Sequence, residues 1–236
     1  KFKPPKVYLC SCFLISAELI PIKGEYKTSV IYQPTDGRIP RRDEFLDFHA
    51  KRRATGLKDT DGPEGQNLSG RCLMFGAAVP SMTPGMMNPN LQIVQTKDYM
   101  MVLTEMIHDA RIIRVNDNHL PFNIPQWMGD PVASWEEDTL VVHSNNFRPE
   151  QSSSRAITLS DEFELTERYT LVSKNEILYE FTVLDSKAYE RPFSGERILT
   201  RNRPEERVYE YACHEGNYSL PGILAGARRL DSVQEN

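Results

Sequence analysis

The stretch LQIVQTKDYMMVLTEMIHDARIIRV, residues 91–115, decides how this chain is read. Apolar residues flank a polar interval at 96–98, so its first part predicts a β-hairpin. Its second part, 101–115, is strand-forming yet carries Glu105, His108, Asp109 and Arg111. Read as one strand, it puts Leu103, Glu105, Ile107, Asp109, Arg111 and Ile113 on one face and Val102, Thr104, Met106, His108, Ala110 and Ile112 on the other. Both faces are mixed, whereas a half-exposed strand separates apolar from polar more cleanly. Polar groups lining a pocket inside an apolar shell fit that mixture. An Asp109–Arg111 ion pair, with Glu105 meeting an arginine from a neighbouring strand, fits it as well and holds register without chemistry. A lone His108 on an apolar strand is more often a hydrogen-bonded core residue than a catalyst.

Working outward, the run of strands continues. DTLVVHSNNF (138–147) follows Trp135, EFELTERYTLVS (162–173) and EILYEFTVLD (176–185) form a hairpin around Lys174 and Asn175, and RPFSGERILTR (191–201) and RVYEYACHE (207–215) complete the set. Short turns between successive strands argue for an antiparallel meander rather than βαβ units. With VYLCSCFLI (7–15) and KTSVIYQ (27–33) added, about eight strands suffice to curl into a closed up-and-down barrel without exposed edges. The expected fold is therefore mainly β: one domain over 1–236, an insertion at 34–90 holding a helix and a long loop, and a short C-terminal helix at 219–232 that caps or plugs one end. The helix of the insertion is read from Phe45, Leu46 and Phe48 in RRDEFLDFHAKRRATG (41–56), ending at Gly56. The segment GAAVPSMTPGMMNPN (76–90) is an irregular loop rich in Pro and Met, of a kind that is often functional.

Composition narrows the function classes. A net charge of −5 over 236 residues gives no basic footprint for nucleic acid or an anionic membrane surface. No apolar run reaches the roughly 18–20 residues a spanning helix needs. The start, KFKPPKVYLCSCFLISAEL, has the outline of a secretory signal. We read 7–20 instead as a retained strand or buried segment, with an export signal lost or never present and a cytoplasmic location for the chain as it stands. Cys10 and Cys12 are too close for an easy mutual disulfide, while a Cys72–Cys213 bridge and four reduced thiols both remain open. The oligomeric state is also left open.

A second polar cluster lies in YEYACHEGNY (209–218), where adjacent His214 and Glu215 end the expected strand and enter a Gly216–Asn217 turn. This is either a barrel-mouth site or a capping network for the C-terminal helix. Glu167, Arg168 and Glu180 alternate with aromatics and are candidates for the same interior. No zinc-protease helix, paired C-x-x-C, P-loop, dinucleotide fingerprint or nucleophile elbow is present. No cofactor is expected, and a metal held by His108, His119, His143 and His214 with an acid is the minority reading.

The stretches GRCLMFGAAVPSMTPG (70–85), 91–113, QWMGDPVASWEEDTLVV (126–142), LTERYTLVSKNEILYEFTV (165–183) and VYEYACHEGNYSLPGILAGAR (208–228) resemble a family of bacterial proteins that are often exported and have no established reaction. The resemblance covers about 30–229 and implies a periplasmic or secreted location, but no activity. The Trp135–Val142 hairpin also looks like barrels of the calycin, lipocalin-like type, some of which hydrate or cyclise apolar substrates.

Two functional expectations follow. The first is an enzyme acting on a small, largely apolar molecule by general acid/base chemistry of the lyase, hydratase, isomerase or cyclase type, in a cavity where burial tunes pKa values. His108 or His214 moves the proton, Glu105, Asp109 or Glu215 is the partner acid or base, and Arg111 holds developing negative charge. Met86 and Met87, in the Met-rich loop 82–87, close the mouth, and Trp127, Trp135, Tyr169, Tyr179 and Phe181 form the substrate wall. The second is a non-catalytic cavity that binds a small apolar ligand. A third, weaker, is a module whose 57–90 loop docks a protein partner. Convergence discriminates: a histidine inside a cavity beside a carboxylate favours catalysis, and outward-facing histidines favour binding or structure.

Overall fold

The computed structural model describes residues 9–14, 21–27, 29–74, 79, 82, 89–121, 124–152, 157–203 and 205–234, with only the backbone described in 9–14. It is mainly β. Ten strands, β1 (Leu9–Leu14), β2 (Ile31–Gln33), β3 (Asn90–Gln95), β4 (Tyr99–Thr104), β5 (Ala110–Val115), β6 (Asp130–Glu136), β7 (Thr139–Asn145), β8 (Glu164–Ser173), β9 (Glu176–Leu184) and β10 (Phe193–Arg201), form one sheet. Two α-helices, α1 (Phe48–Ala54) and α2 (Ser219–Gln234), accompany it.

The strand order is β1-β3-β4-β5-β6-β7-β8-β9-β10-β2, mostly antiparallel neighbours joined by tight turns. Alternation builds it: Leu165, Glu167 and Tyr169 on β8 and Tyr179, Phe181 and Val183 on β9 are buried on one face, and the intervening residues are more exposed. These inward residues join Val102, Ile113, Val142 and Leu199 in a single apolar core. Gly195 lies opposite Phe181 where β10 pairs with β9, and a Cβ there would sit 2.3 Å from Phe181 Cζ.

Four expectations need correction. An up-and-down antiparallel meander is not what forms, since β5 and β6 pair in parallel through Arg114↔Val132 and Val115↔Ala133. Closure into a barrel is not established by the sheet, in which β1 meets β10 at only two positions, Phe13↔Arg201 and Leu14↔Thr200. Residues 101–115 are not one strand: a 3₁₀ turn over Met106–His108, with Ile107 at φ 65° and His108 at φ 50°, folds them into the β4–β5 hairpin. Residues 207–211 are irregular rather than a strand, and 213–216 form a turn.

The insertion carries α1, begun by Asp47, whose side chain accepts the Ala50 N–H at 2.7 Å, and followed by Gly56 at φ 85°. Phe45 and Leu46 precede this helix. The C-terminal helix is present, but it neither plugs nor caps the sheet. It lies largely exposed beside the 58–61 loop, held by Arg228 to the carbonyls of Thr60 and Asp61 and by the Lys58–Asp231 pair. A Cys72–Cys213 disulfide ties the segment before α2 to the insertion. No helix among the described residues is long and apolar enough to cross a membrane.

Candidate functional site

The alternation that builds the core also carries six polar side chains into it. Arg111 on β5 places Nη2 2.7 Å from Glu167 Oε2 on β8 and donates to Ser144 Oγ on β7 at 2.6 Å. Glu167 Oε1 accepts the hydroxyls of Tyr169 (2.9 Å) and Tyr179 (3.0 Å). Arg111 is 3% exposed and Glu167 not at all. Arg197 on β10 pairs in register with Tyr179 and donates from Nη2 to the Met82 carbonyl at 3.0 Å.

Burial opposes the charge on Arg111, but Glu167 and the two tyrosines outweigh it and raise the guanidinium's pKa from its ordinary value. Burial, reinforced by Glu167, pushes the Tyr179 hydroxyl well above its ordinary range. Burial lowers the pKa of Arg197. The cluster thus sets two guanidiniums against one carboxylate. Among the described residues, three buried donor nitrogens, Arg111 Nε, Arg111 Nη1 and Arg197 Nε, have no hydrogen-bond partner. Buried donors of that kind are rare in native proteins and call for an explanation.

Of the residues singled out from sequence, Arg111, Tyr169, Tyr179, Phe181 and Glu167 converge here. Trp135 packs against the core from a half-buried position, as does Trp127, which lies under the Arg148 guanidinium at 4.9 Å. Met86 and Met87 lie outside the described residues. Arg168 and Glu180 face away, paired with Glu136 and Lys23.

The remaining candidates are elsewhere. Glu105 is buried at the end of β4, where it accepts from Asn90 Nδ2 at 2.7 Å. His108 is exposed and donates from Nδ1 to the Tyr211 carbonyl at 2.7 Å. It lines an open pocket of about 430 Å³ between Gln92, Leu103 and Thr104 and the 206–210 segment. Asp109 beside it is half-buried, and burial pushes its carboxyl up to about 6 against the opposing pull of His108. His214 and Glu215 are exposed in the turn before α2.

Among the described residues no group of three or more His, Cys, Asp and Glu is placed to hold a metal. His108, His119, His143 and His214 are not gathered into one site, but His119 and His143 meet each other, Nε2 to Nδ1, at 2.9 Å. Sequence reading missed Arg197 and Ser144. The signal for Arg197 was the alternation of RPFSGERILTR, where it shares a face with Phe193, Gly195 and Leu199 and is the one charge among them. Ser144, set between asparagine and histidine, carried none.

Neither a family model, nor a curated protein, nor a solved structure matches the chain. Its chemistry has to be read from its own side chains.

Proposed function

We propose that the protein binds a small, largely apolar molecule carrying one anionic group. The anion sits on Arg111 and Arg197, and the apolar body lies against Phe181 and the neighbouring aliphatic residues. The observation that carries this reading is the set of three buried guanidine nitrogens in an apolar interior that find no hydrogen-bond partner among the described residues. A carboxylate or similar acid satisfies them by charge-assisted hydrogen bonds, with the fork geometry that arginine provides. Tyr179 links the two arginines: its hydroxyl binds the carboxylate that pairs with Arg111, and its β10 partner is Arg197.

Binding is favoured over acid/base turnover because the proton carriers of the catalytic reading, His108 and His214, face solvent, while the interior holds a carboxylate whose contacts all come from protein donors. Enclosure of such a ligand calls for the sheet to curl shut, and we include a calycin-like barrel in the proposal. The parallel β5–β6 pair supports it. Leaving out β2, nine of the ten strands would make the ring, and a ring with an odd number of strands cannot alternate direction throughout. One parallel neighbour is the least departure that permits closure.

Native mass spectrometry of freshly purified protein, and of its Arg197→Met variant, tests the reading. The wild-type protein is expected to carry an acidic, mainly apolar molecule, or to take one up from a mixture of such acids, and the variant to lose it while keeping the wild-type circular dichroism. A wild-type protein that takes up neutral analogues as readily as acids would overturn the proposal.

A further inference from the structure

The histidine pair on the other face of the sheet has no part in the interior cluster. His143 projects from β7 beside Val142, which is buried inside, and His119 reaches it from the connection between β5 and β6. Their rings meet edge to face with His119 Nε2 2.9 Å from His143 Nδ1. Each ring turns its other nitrogen towards a carboxylate: His119 Nδ1 is 3.1 Å from Asp130 Oδ2, and His143 Nε2 is 3.5 Å from Glu164 Oε2.

Asp130 accepts hydrogen bonds from Arg114 Nη1 (2.9 Å) and the Leu120 backbone N–H (2.7 Å), which fix its carboxyl group beside His119. An imidazole that donates to its outer carboxylate keeps a lone pair on its inner nitrogen, so the inner nitrogens, 2.9 Å apart, share either a proton or a metal ion. Imidazoles oriented by outer carboxylates are the usual supporting arrangement of protein metal ligands.

We propose that His119 and His143 chelate one divalent transition-metal ion, completed by water, and that the geometry suits Cu²⁺ better than Zn²⁺. At metal–nitrogen bonds of about 2.0–2.1 Å, nitrogens 2.9 Å apart subtend roughly 90° at the metal, the cis angle of a tetragonal ion, whereas a tetrahedral ion spreads them to about 3.3 Å. Cu²⁺ also heads the affinity order for nitrogen sites. The carboxylates of Asp117, Asp130 and Glu164 outnumber the guanidinium of Arg114 in the surroundings, which favours a cation.

The test is titration of the chelator-stripped full chain with Cu²⁺, followed by calorimetry and electron paramagnetic resonance. One Cu²⁺ per chain is expected, with a tetragonal spectrum split by two nitrogens and affinity at least tenfold above that for Zn²⁺. His143→Ala, at a half-exposed position, should lose at least tenfold in Cu²⁺ affinity with its circular dichroism unchanged, and His119→Gln the same. Equal Cu²⁺ affinity in wild type and both variants, or no two-nitrogen signal in the wild type, would show that the pair holds only a proton and overturn the proposal.

Discussion

Asp109 shows how one residue's surroundings set its behaviour. Burial holds its folded carboxyl at about 6 against an ordinary value of 3.8, so between those values the folded chain keeps a proton that the unfolded chain releases. Stability from this group therefore falls as pH rises through that window. Asp109→Asn removes the penalty. Urea unfolding should show the variant more stable than wild type by up to about 1 kcal/mol at about pH 7.5, after allowance for solvent screening, and no more stable at about pH 3.5. An advantage that did not change with pH would contradict the assignment. At this scale the sequence was legible where a charged residue shared a face with large apolar ones, as Arg111 does with Ile113 and Glu167 with Leu165. It was not legible where a residue's fate depended on a turn. His108 read as an interior strand residue and lies outside, because the chain folds back at the residue before it.

At the scale of elements, the hairpins were plain from period-two patterning and polar interruptions: β3–β4 turns at 96–98 and β8–β9 at Lys174 and Asn175, as the sequence indicates. The β4–β5 turn was hidden because it uses non-glycine residues, Ile107 and His108, in the left-handed region, where sequence gives little warning. The 207–212 segment has strand-like residues but pairs with no strand among the described residues, so it stays irregular and passes into the 213–216 turn. Gly195 is the residue that lets β9 and β10 approach. Gly195→Ala drives a methyl group into the Phe181 ring and to 3.0 Å from the Val30 carbonyl oxygen, and overpacking of this kind costs about 1–3 kcal/mol. A lowered urea midpoint with an unchanged slope is the expected result, and an unchanged midpoint would mean that Gly195 and Phe181 are not in close contact.

For the molecule as a whole, a mainly β sheet with one apolar core follows from the pattern of the sequence, and the parallel β5–β6 step does not, because the connection 116–129 between those strands has no regular period to reveal its path. The Cys72–Cys213 bridge joins positions 141 residues apart and fastens the segment before α2 to the insertion. The interior and outer clusters lie on opposite faces of the same strands: Ser144 on β7 turns to the guanidinium of Arg111, and its neighbour His143 turns to His119. The central claim is that the interior selects an anion. It is tested most directly by titrating the wild-type protein and Arg197→Met with a fluorescent long-chain carboxylate and with its uncharged methyl ester. The account predicts that the wild type binds the carboxylate at least about tenfold more tightly than the ester, as charge-assisted hydrogen bonds require, and that Arg197→Met loses most of this preference. Equal affinity for acid and ester in the wild type, or an undiminished preference in the variant, would contradict it.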